Sequence, residues 1–329
     1  MSSNQPLVSV IIPTYNRAST ISNAIDSVLS QTYTNFEIIV VDDGSKDNTA
    51  EILKKYDTVI SVRKENGGQA SARNAGLKQA KGSLIASLDS DDIWYPDFLQ
   101  ECVTKIVTDN LDFVFTNWDQ QDQEGKVRDF LSSDFVIQPY FDRMNNGWVN
   151  LESDDLRIVY VRGCPSPSSS VVIKHELIRN GWNNDIRIGD DWYLYLSAVY
   201  SGKRTAAFTL KRLWKKYSGY SNVFDGRKRK EILEHLYIAD LGKIMRDFKP
   251  QMNRSQYRIL RSKHVYGMVE LAKHNLVREF NIIKTTRLLL KSCYLDLSQT
   301  LISIPQVIRL GMQRVRDDKA RKAGKAISQ

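Results

Sequence analysis

The sequence predicts an α/β fold with a mostly parallel central sheet covered by helices on both faces, followed by a helical C-terminal region. From Val8 to about Asn117, short apolar runs alternate with segments whose apolar residues recur at helical spacing. The first run, Val8 to Ile12, is almost continuously apolar, as expected of a strand buried on both faces. Beyond Asp225 the strand signal disappears and the chain reads as helices with basic faces.

The elements follow in order. Val8 to Ile12 is a strand ended by Pro13 to Asn16, and Ile21, Ala24, Ile25, Val28 and Leu29 then mark one face of a helix behind Ser19 or Thr20, either of which can cap it. Phe36 to Val41 is a strand, Asp47 to Tyr56 a helix, Val59 to Arg63 a strand and Gln69 to Ala80 an alanine-rich helix. Ser83 to Leu88 is the next strand, a helix starts at Pro96, and Phe113 to Asn117 closes the core. Trp118 to Arg162 is irregular, polar and aromatic, the kind of insertion that flanks binding sites. Ser168 to Ile173 reads as a strand, His175 starts a short helix, Asp190 to about Tyr200 is a helix and Arg204 to Leu210 a strand. Right-handed crossovers put the carboxyl ends of the parallel strands at one crevice, where such sheets bind ligands.

A chain of 329 residues, 42% hydrophobic and 26% charged, is an ordinary globular protein of one large domain or two small ones. Its net charge of +9 is a C-terminal property, since Lys and Arg dominate from Lys203 onward. Such a half can meet nucleic acid, an anionic membrane or an anionic substrate, or can be a solvated helical surface. Cys102, Cys164 and Cys293 have neither zinc nor thiol-exchange spacing, so a reducing compartment without structural disulfides is expected. With no secretory pattern at Met1 to Pro6 and no apolar stretch of the ~20 residues a membrane span needs, a cytoplasmic location is expected.

The strand ends carry the unusual residues. Asp89 and Asp91 flank Ser90, and two carboxylates so close in a crevice require a cation or donors. Oxygen ligands without paired His or Cys favour Mg²⁺ or Mn²⁺ over zinc; Asp92 alternatively belongs to a turn capping the next helix. Asp42-Asp43-Gly44-Ser45 is a turn signature whose carboxylates can also accept from a base N–H or a ribose hydroxyl. No G-x-G-x-x-G follows the first strand, which argues against a dinucleotide site. Asn66 to Gly76 opens a helix with glycines and places Arg73 in its early turns, where it pairs either with a surface acid or with an acid or phosphate in the crevice. Asp190-Asp191 either favours its helix dipole or supplies a general base.

Taken together and in this order, these segments resemble the family 2 inverting glycosyltransferases over roughly Leu7 to Ser221. The most specific parts are Val8 to Asn16, Val40 to Ser45, Asn66 to Gly76 and Leu88 to Asp92. The resemblance implies a GT-A nucleotide-diphospho-sugar transferase fold over 1–225, with a nucleotide-binding half at 7–120 and an acceptor-side half at 121–225, and a separate basic helical region at 226–329. It implies base contacts from the loop of Pro13 and Tyr15 and from Asp43, with Asp42 in support and Arg73 near the nucleotide. Asp89, Ser90 and Asp91 then match the D-x-D element that meets ribose, diphosphate and metal, with Asp91 as the direct ligand of Mn²⁺ or Mg²⁺. Asp191 matches the catalytic base, and Tyr217 stands where family members often have a histidine.

The partners implied are a nucleotide-diphospho-sugar donor, with a UDP-sugar favoured, and a glycan or lipid-linked acceptor of cell-surface polysaccharide synthesis. Nucleic acid is not among them. The rivals are a non-catalytic sugar-nucleotide or glycan-binding module and a nucleotidyltransferase, and the latter usually needs a glycine-rich basic loop that Pro13 to Asn16 is not. In the C-terminal region Ile282, Ile283, Leu288, Leu289, Leu290, Ile302, Ile304, Val307, Ile308 and Leu310 interleave with Lys284, Arg287, Lys291 and Arg309, as a peripheral membrane surface, a helix-packing surface or a homodimer surface would. Lys319 to Gln329 is expected to be disordered.

Overall fold

The computed structural model describes residues 5–218 and 227–326. Ser221, the end of the family resemblance, Gly219 and the last three tail residues lie outside them. The chain forms two compact units, Met1–Asp185 with Asp190–Gly226, and Ile186–Gly189 with Arg227–Gln329.

The first unit begins with β1 (Val8–Thr14), α1 (Ile21–Leu29), β2 (Phe36–Asp42), α2 (Thr49–Leu53), β3 (Val59–Arg63), α3 (Gln69–Leu77) and β4 (Leu84–Ser87). It continues through β5 (Asp92–Trp94), α4 (Phe98–Asp109), β6 (Phe113–Gln121), β7 (Val127–Asp129), β8 (Trp148–Leu151) and α5 (Ser153–Arg162) to β9 (Val171–Lys174), α6 (Asp190–Tyr200) and β10 (Ala206–Tyr217). One sheet runs β3-β2-β1-β4-β9-β6-β10-β5, with β7 added on β6 and β8 on β10. The first four strands are parallel. Beyond them the sheet is mixed, because β9 runs antiparallel to both β4 and β6.

β1 is buried along its whole length, which explains its lack of alternation. Its register pairs Thr14 with Asp42, so β1 and β2 end side by side, and Leu88 N–H bonds the Ile11 carbonyl one strand away. The acidic segments after β2 and β4 therefore emerge at the same edge of the sheet. Ile21, Ala24, Ile25 and Val28 of α1 are buried, the face that their spacing marks.

Three segments differ from expectation. The helix expected from Asp47 starts two residues later, because the Asp47 carboxylate accepts from Thr49 N and Oγ1 and turns the chain there. Ser168–Ser170 is a 3₁₀ turn rather than the start of a strand, and only Val171–Lys174 enters the sheet. The irregular Trp118 to Arg162 contains an extended β6, β7, β8 and α5; Trp148, Val149 and Leu151 of β8 are buried on pairing with β10, a long-range partner that no local pattern reveals.

The second unit is helical: α7 (Arg229–Ile232), a π-helical stretch Leu233–Asp240, α8 (Leu241–Phe248), α9 (Arg254–His274), a π turn Asn275–Glu279, α10 (Ile282–Leu295) and α11 (Leu297–Ala326). Val265, Val269 and Val307 form its buried cluster, with Leu276, Leu289 and Leu295 against them. Its buried Asp240 carboxylate accepts the backbone N–H groups of Arg187, Ile188 and Gly189 at 3.0, 2.8 and 3.0 Å. The tail expected to be disordered continues α11 as far as Ala326, and Ala, Lys and Arg, which fill it, are good helix formers.

Gly76 lets α3 lie directly on the sheet. A Cβ there would stand 2.5 Å from Ile11 Cγ2 and 3.2 Å from Val41 Cγ2. In an open helix, Gly→Ala stabilises by roughly 0.5–1 kcal/mol. Gly76→Ala is expected instead to destabilise by about 1–3 kcal/mol through overpacking, measured as a lower midpoint in urea unfolding.

Candidate functional site

Hydrogen bonds join the strand-end loops. After β1, Asn16 takes the left-handed backbone conformation at φ 52°; its N–H donates to Ser45 Oγ at 2.9 Å and its Oδ1 accepts from Lys46 N at 2.8 Å. Asp42 accepts from Ser45 N at 2.8 Å and faces Arg63 at 3.7 Å. Asp43 is buried and accepts from Lys64 Nζ at 2.6 Å, Gly67 N at 3.0 Å and Gly68 N at 2.8 Å, which fixes the glycine loop ahead of α3. Gly44, at φ +79°, allows that loop to approach: a Cβ would meet Asn66 N at 3.1 Å and Lys64 O at 3.2 Å.

Arg73 is wholly buried on α3. Its Nη2 donates to Asp89 at 2.7 Å, and its Nη1 to Asp190 at 2.8 Å and Asp191 at 3.3 Å. A planar guanidinium has donors spread widely enough to reach carboxylates from two elements at once. Gln69 Nε2 adds a bond to Asp89 at 3.2 Å. Trp182 lies 5.7 Å from the Arg73 guanidinium carbon, measured to its ring centroid, and Asn74 pins Trp182 by bonds to its backbone N and O at 2.7 and 2.8 Å.

Asp191 accepts further from Ser168 N at 3.0 Å, from Ser168 Oγ, and from Trp182 Nε1 at 3.1 Å. Asp190 is more deeply buried, and burial together with the neighbouring Asp191 charge pushes its carboxyl up to about 7, Arg73 opposing. Burial, with the Asp89 charge second, raises Asp91; Arg17, 3.5 Å away, and Lys216 oppose. Burial raises Asp92 well above the usual range, and Ser169 Oγ donates to it at 2.7 Å. β10 pairs Lys216 with Asp92 across β5, which carries a positive charge to the acidic loop.

The structure thus brings Asp42, Asp43, Arg73, Asp89, Asp91 and Asp191 to one edge of the sheet, where Pro13 at the end of β1 and Ser90 after β4 are buried. Tyr15 is exposed, as is Tyr217 beside Lys215. Sequence reasoning missed Arg17, Asn74, Ser168, Ser169 and Trp182. Only the Pro165-Ser166-Pro167-Ser168 run, with its turn chemistry, offered a signal for any of them.

A hard divalent ion at the acidic loop would find carboxylate oxygens from Asp89 and Asp91. Among the described residues no group of three or more His, Cys, Asp or Glu side chains is placed to hold a metal by itself. The available donors are therefore few carboxylates, and a Mg²⁺-type ion completes such a shell with waters and phosphate oxygens. Asp91, raised by burial and by Asp89, is the carboxylate such an ion would relieve.

Residues 9–157 match the family model described as glycosyl transferase family 2. The chain carries a glycosyltransferase family 2 domain over these residues. An uncharacterized glycosyltransferase of Rickettsia felis is 34% identical over 222 residues, which cover 66% of this chain and 34% of that protein. Escherichia coli WfgD, a UDP-Glc:alpha-D-GlcNAc-diphosphoundecaprenol beta-1,3-glucosyltransferase, is 41% identical over 129 residues, 38% of this chain and 51% of that one. The matched part thus spans about a third to a half of these two relatives.

Solved structures of the same fold include S. aureus TarS 1–349 in complex with UDP-GlcNAc, with a TM-score of 0.64 at 17% identity, over 96% of this chain and 92% of that one. The mannosyltransferase PcManGT of Pyrobaculum calidifontis, in complex with GDP-Man and Mn²⁺, aligns with a TM-score of 0.56 at 19% identity, over 96% and 88% of the two chains. The fold of the family 2 domain is GT-A.

Two expectations follow. Arg73→Met leaves Asp89, Asp190 and Asp191 without their shared cation, and breaking a buried ion pair in this way costs about 3–5 kcal/mol. Arg73→Lys restores only part of it, because a point ammonium does not fork; denaturant unfolding reads both. Asp190, raised on folding from 3.8 to about 7, makes the folded state hold a proton that the unfolded chain releases. Its linkage lowers the melting temperature progressively as pH rises across that window, and Asp190→Asn flattens the slope.

Proposed function

We propose that this chain is an inverting glycosyltransferase. It moves a sugar from a nucleotide-diphospho-sugar, with a UDP-sugar favoured, to a hydroxyl of a glycan or lipid-linked acceptor in cell-surface polysaccharide synthesis. The observation that carries this reading is the meeting of Asp89, from the donor-side loop, with Asp191 on the two nitrogens of one buried guanidinium. A binding module needs only the first of these groups; a transferase also needs a base for the acceptor. UDP-GlcNAc and GDP-Man in the TarS and PcManGT structures, and the UDP-Glc and lipid-diphosphate substrates in the WfgD name, support the donor and acceptor classes.

In this mechanism the loops of Pro13 and Tyr15 and of Asp42 and Asp43 hold the base, while Asp89 and Ser90 face the nucleotide. Asp91 would hold Mn²⁺ or Mg²⁺, which when bound would supply positive charge to the departing diphosphate. The Mn²⁺ in the PcManGT structure supports this choice of ion. Asp191, oriented by Ser168 and Trp182, takes the proton of the acceptor hydroxyl. The hydroxyl oxygen attacks the anomeric carbon from the face opposite the diphosphate, the carbon–oxygen bond to the diphosphate breaks, and configuration inverts. Lys216, beside the acidic loop, takes the electrostatic part of the histidine that Tyr217 replaces.

Incubation with UDP-sugars and Mn²⁺ is expected to release UDP, whereas pyrophosphate release from UTP and a sugar 1-phosphate would identify a nucleotidyltransferase, and binding without release a non-catalytic module. Asp191→Asn is expected to lower kcat by roughly 10²–10⁴-fold while donor-induced thermal stabilisation persists. Near-normal kcat in folded Asp191→Asn, with loss in Asp190→Asn, would transfer the base role to Asp190. In Asp91→Asn, the Mn²⁺-dependent part of the thermal shift with UDP is expected to disappear.

A further inference from the structure

We propose that α10 and α11 form a docking face for an anionic lipid surface. Half of the large hydrophobic side chains exposed among the described residues lie between Phe280 and Met312, about a tenth of the chain. On α10, Ile282, Ile283, Leu290 and Tyr294 are exposed, whereas Thr285 and Ser292 are buried and Leu289 and Leu295 pack on the valine cluster. On α11, Leu297, Leu301, Ile308 and Met312 share one helical face, roughly a quarter-turn round the helix from buried Thr300 and Val307. The most exposed, Tyr294 at 91% and Ile302 at 81%, have almost no protein cover. Both helices therefore bury one face and present a second apolar face outward.

Charge selects the occupant. Residues 282–329 contain ten Lys or Arg against three Asp, so this segment carries +7 of the chain's +9. Lys284, Arg287 and Lys291 border the apolar stripe of α10 and are themselves exposed. Long basic side chains can keep their charge at lipid headgroups while the neighbouring apolar residues enter the acyl boundary. A second copy seated by two-fold symmetry would bring the two +7 segments together, which disfavours self-association. An anionic leaflet supplies the opposite charge and the apolar phase at once. No helix among the described residues is long and apolar enough to cross a membrane, so the contact lies along the surface.

The test uses the full chain in flotation with phosphatidylcholine vesicles, with and without phosphatidylglycerol. The protein is expected to float with the anionic vesicles only, and to be released at about 1 M salt, where the Debye length falls to about 3 Å. Ile283→Glu/Leu290→Glu/Ile302→Glu, at exposed positions, is expected to weaken partitioning roughly tenfold or more with unchanged circular dichroism and urea midpoint. Lys284→Gln/Arg287→Gln/Lys291→Gln is expected to reduce the preference for anionic vesicles. Failure to float, equal binding to neutral vesicles, or indifference to the glutamate substitutions overturns the proposal. So does light scattering that shows a dimer broken by those substitutions without any vesicle binding. Flotation reads binding alone, so the result is independent of whether the chain transfers sugar.

Discussion

Among the described residues, Arg73 is the fully buried cation on which this acidic crevice depends. Asp89, Asp190 and Asp191 converge on it from two parts of the chain far apart in sequence. Like charges at this spacing, removed from water, would repel strongly or take up protons. The guanidinium is weakly hydrated for a cation and stays charged in any protein environment, so it offsets that repulsion at a lower desolvation cost than an ammonium would. Three carboxylates on one guanidinium still leave an excess of negative charge, and the raised Asp190 and Asp91 show where it accumulates.

The sheet makes this convergence reproducible. Parallel pairing delivers the β1, β2 and β4 loops to one edge, and cross-loop bonds such as Asn16 to Ser45 and Arg17 to Asp91 restrict them further. Asp43 shows how the scaffold and the site are continuous. Its carboxylate spends its acceptor capacity on Lys64, Gly67 and Gly68, and the loop so held leads directly into the helix that carries Arg73. A carboxylate placed for a nucleotide thus also sets the start of α3.

Asp42, Asp43, Asp89 and Asp91 were legible in the sequence because they interrupt hydrophobic runs at strand ends, where the pattern itself breaks. Arg73 was legible as a residue of the Asn66 to Gly76 segment, but its partners were not. Spacing cannot tell a surface pair from a bond to Asp190 more than a hundred positions away. Ser168, Trp182 and Asn74 act through backbone groups and indole N–H donors, which leave no periodic trace. The same limit hid β8, whose pairing with β10 is set by tertiary packing rather than by propensity. α2 was overextended for the opposite reason: Asp47 uses its side chain locally, and a cap of that kind moves a boundary without altering the apolar pattern.

The clasp of Asp240 on Arg187, Ile188 and Gly189 gives the chain a woven topology. Between Asp185 and Asp190 the polypeptide leaves the α/β unit, is held by the helical one, and returns. No single cut in the sequence therefore separates the two units. A polypeptide that stops before Asp240 would contain every residue of the acidic crevice and still leave three consecutive amides without their acceptor, immediately ahead of the Asp190-Asp191 pair. An unrelated appendage in place of the helical unit would have to supply another anion at that point.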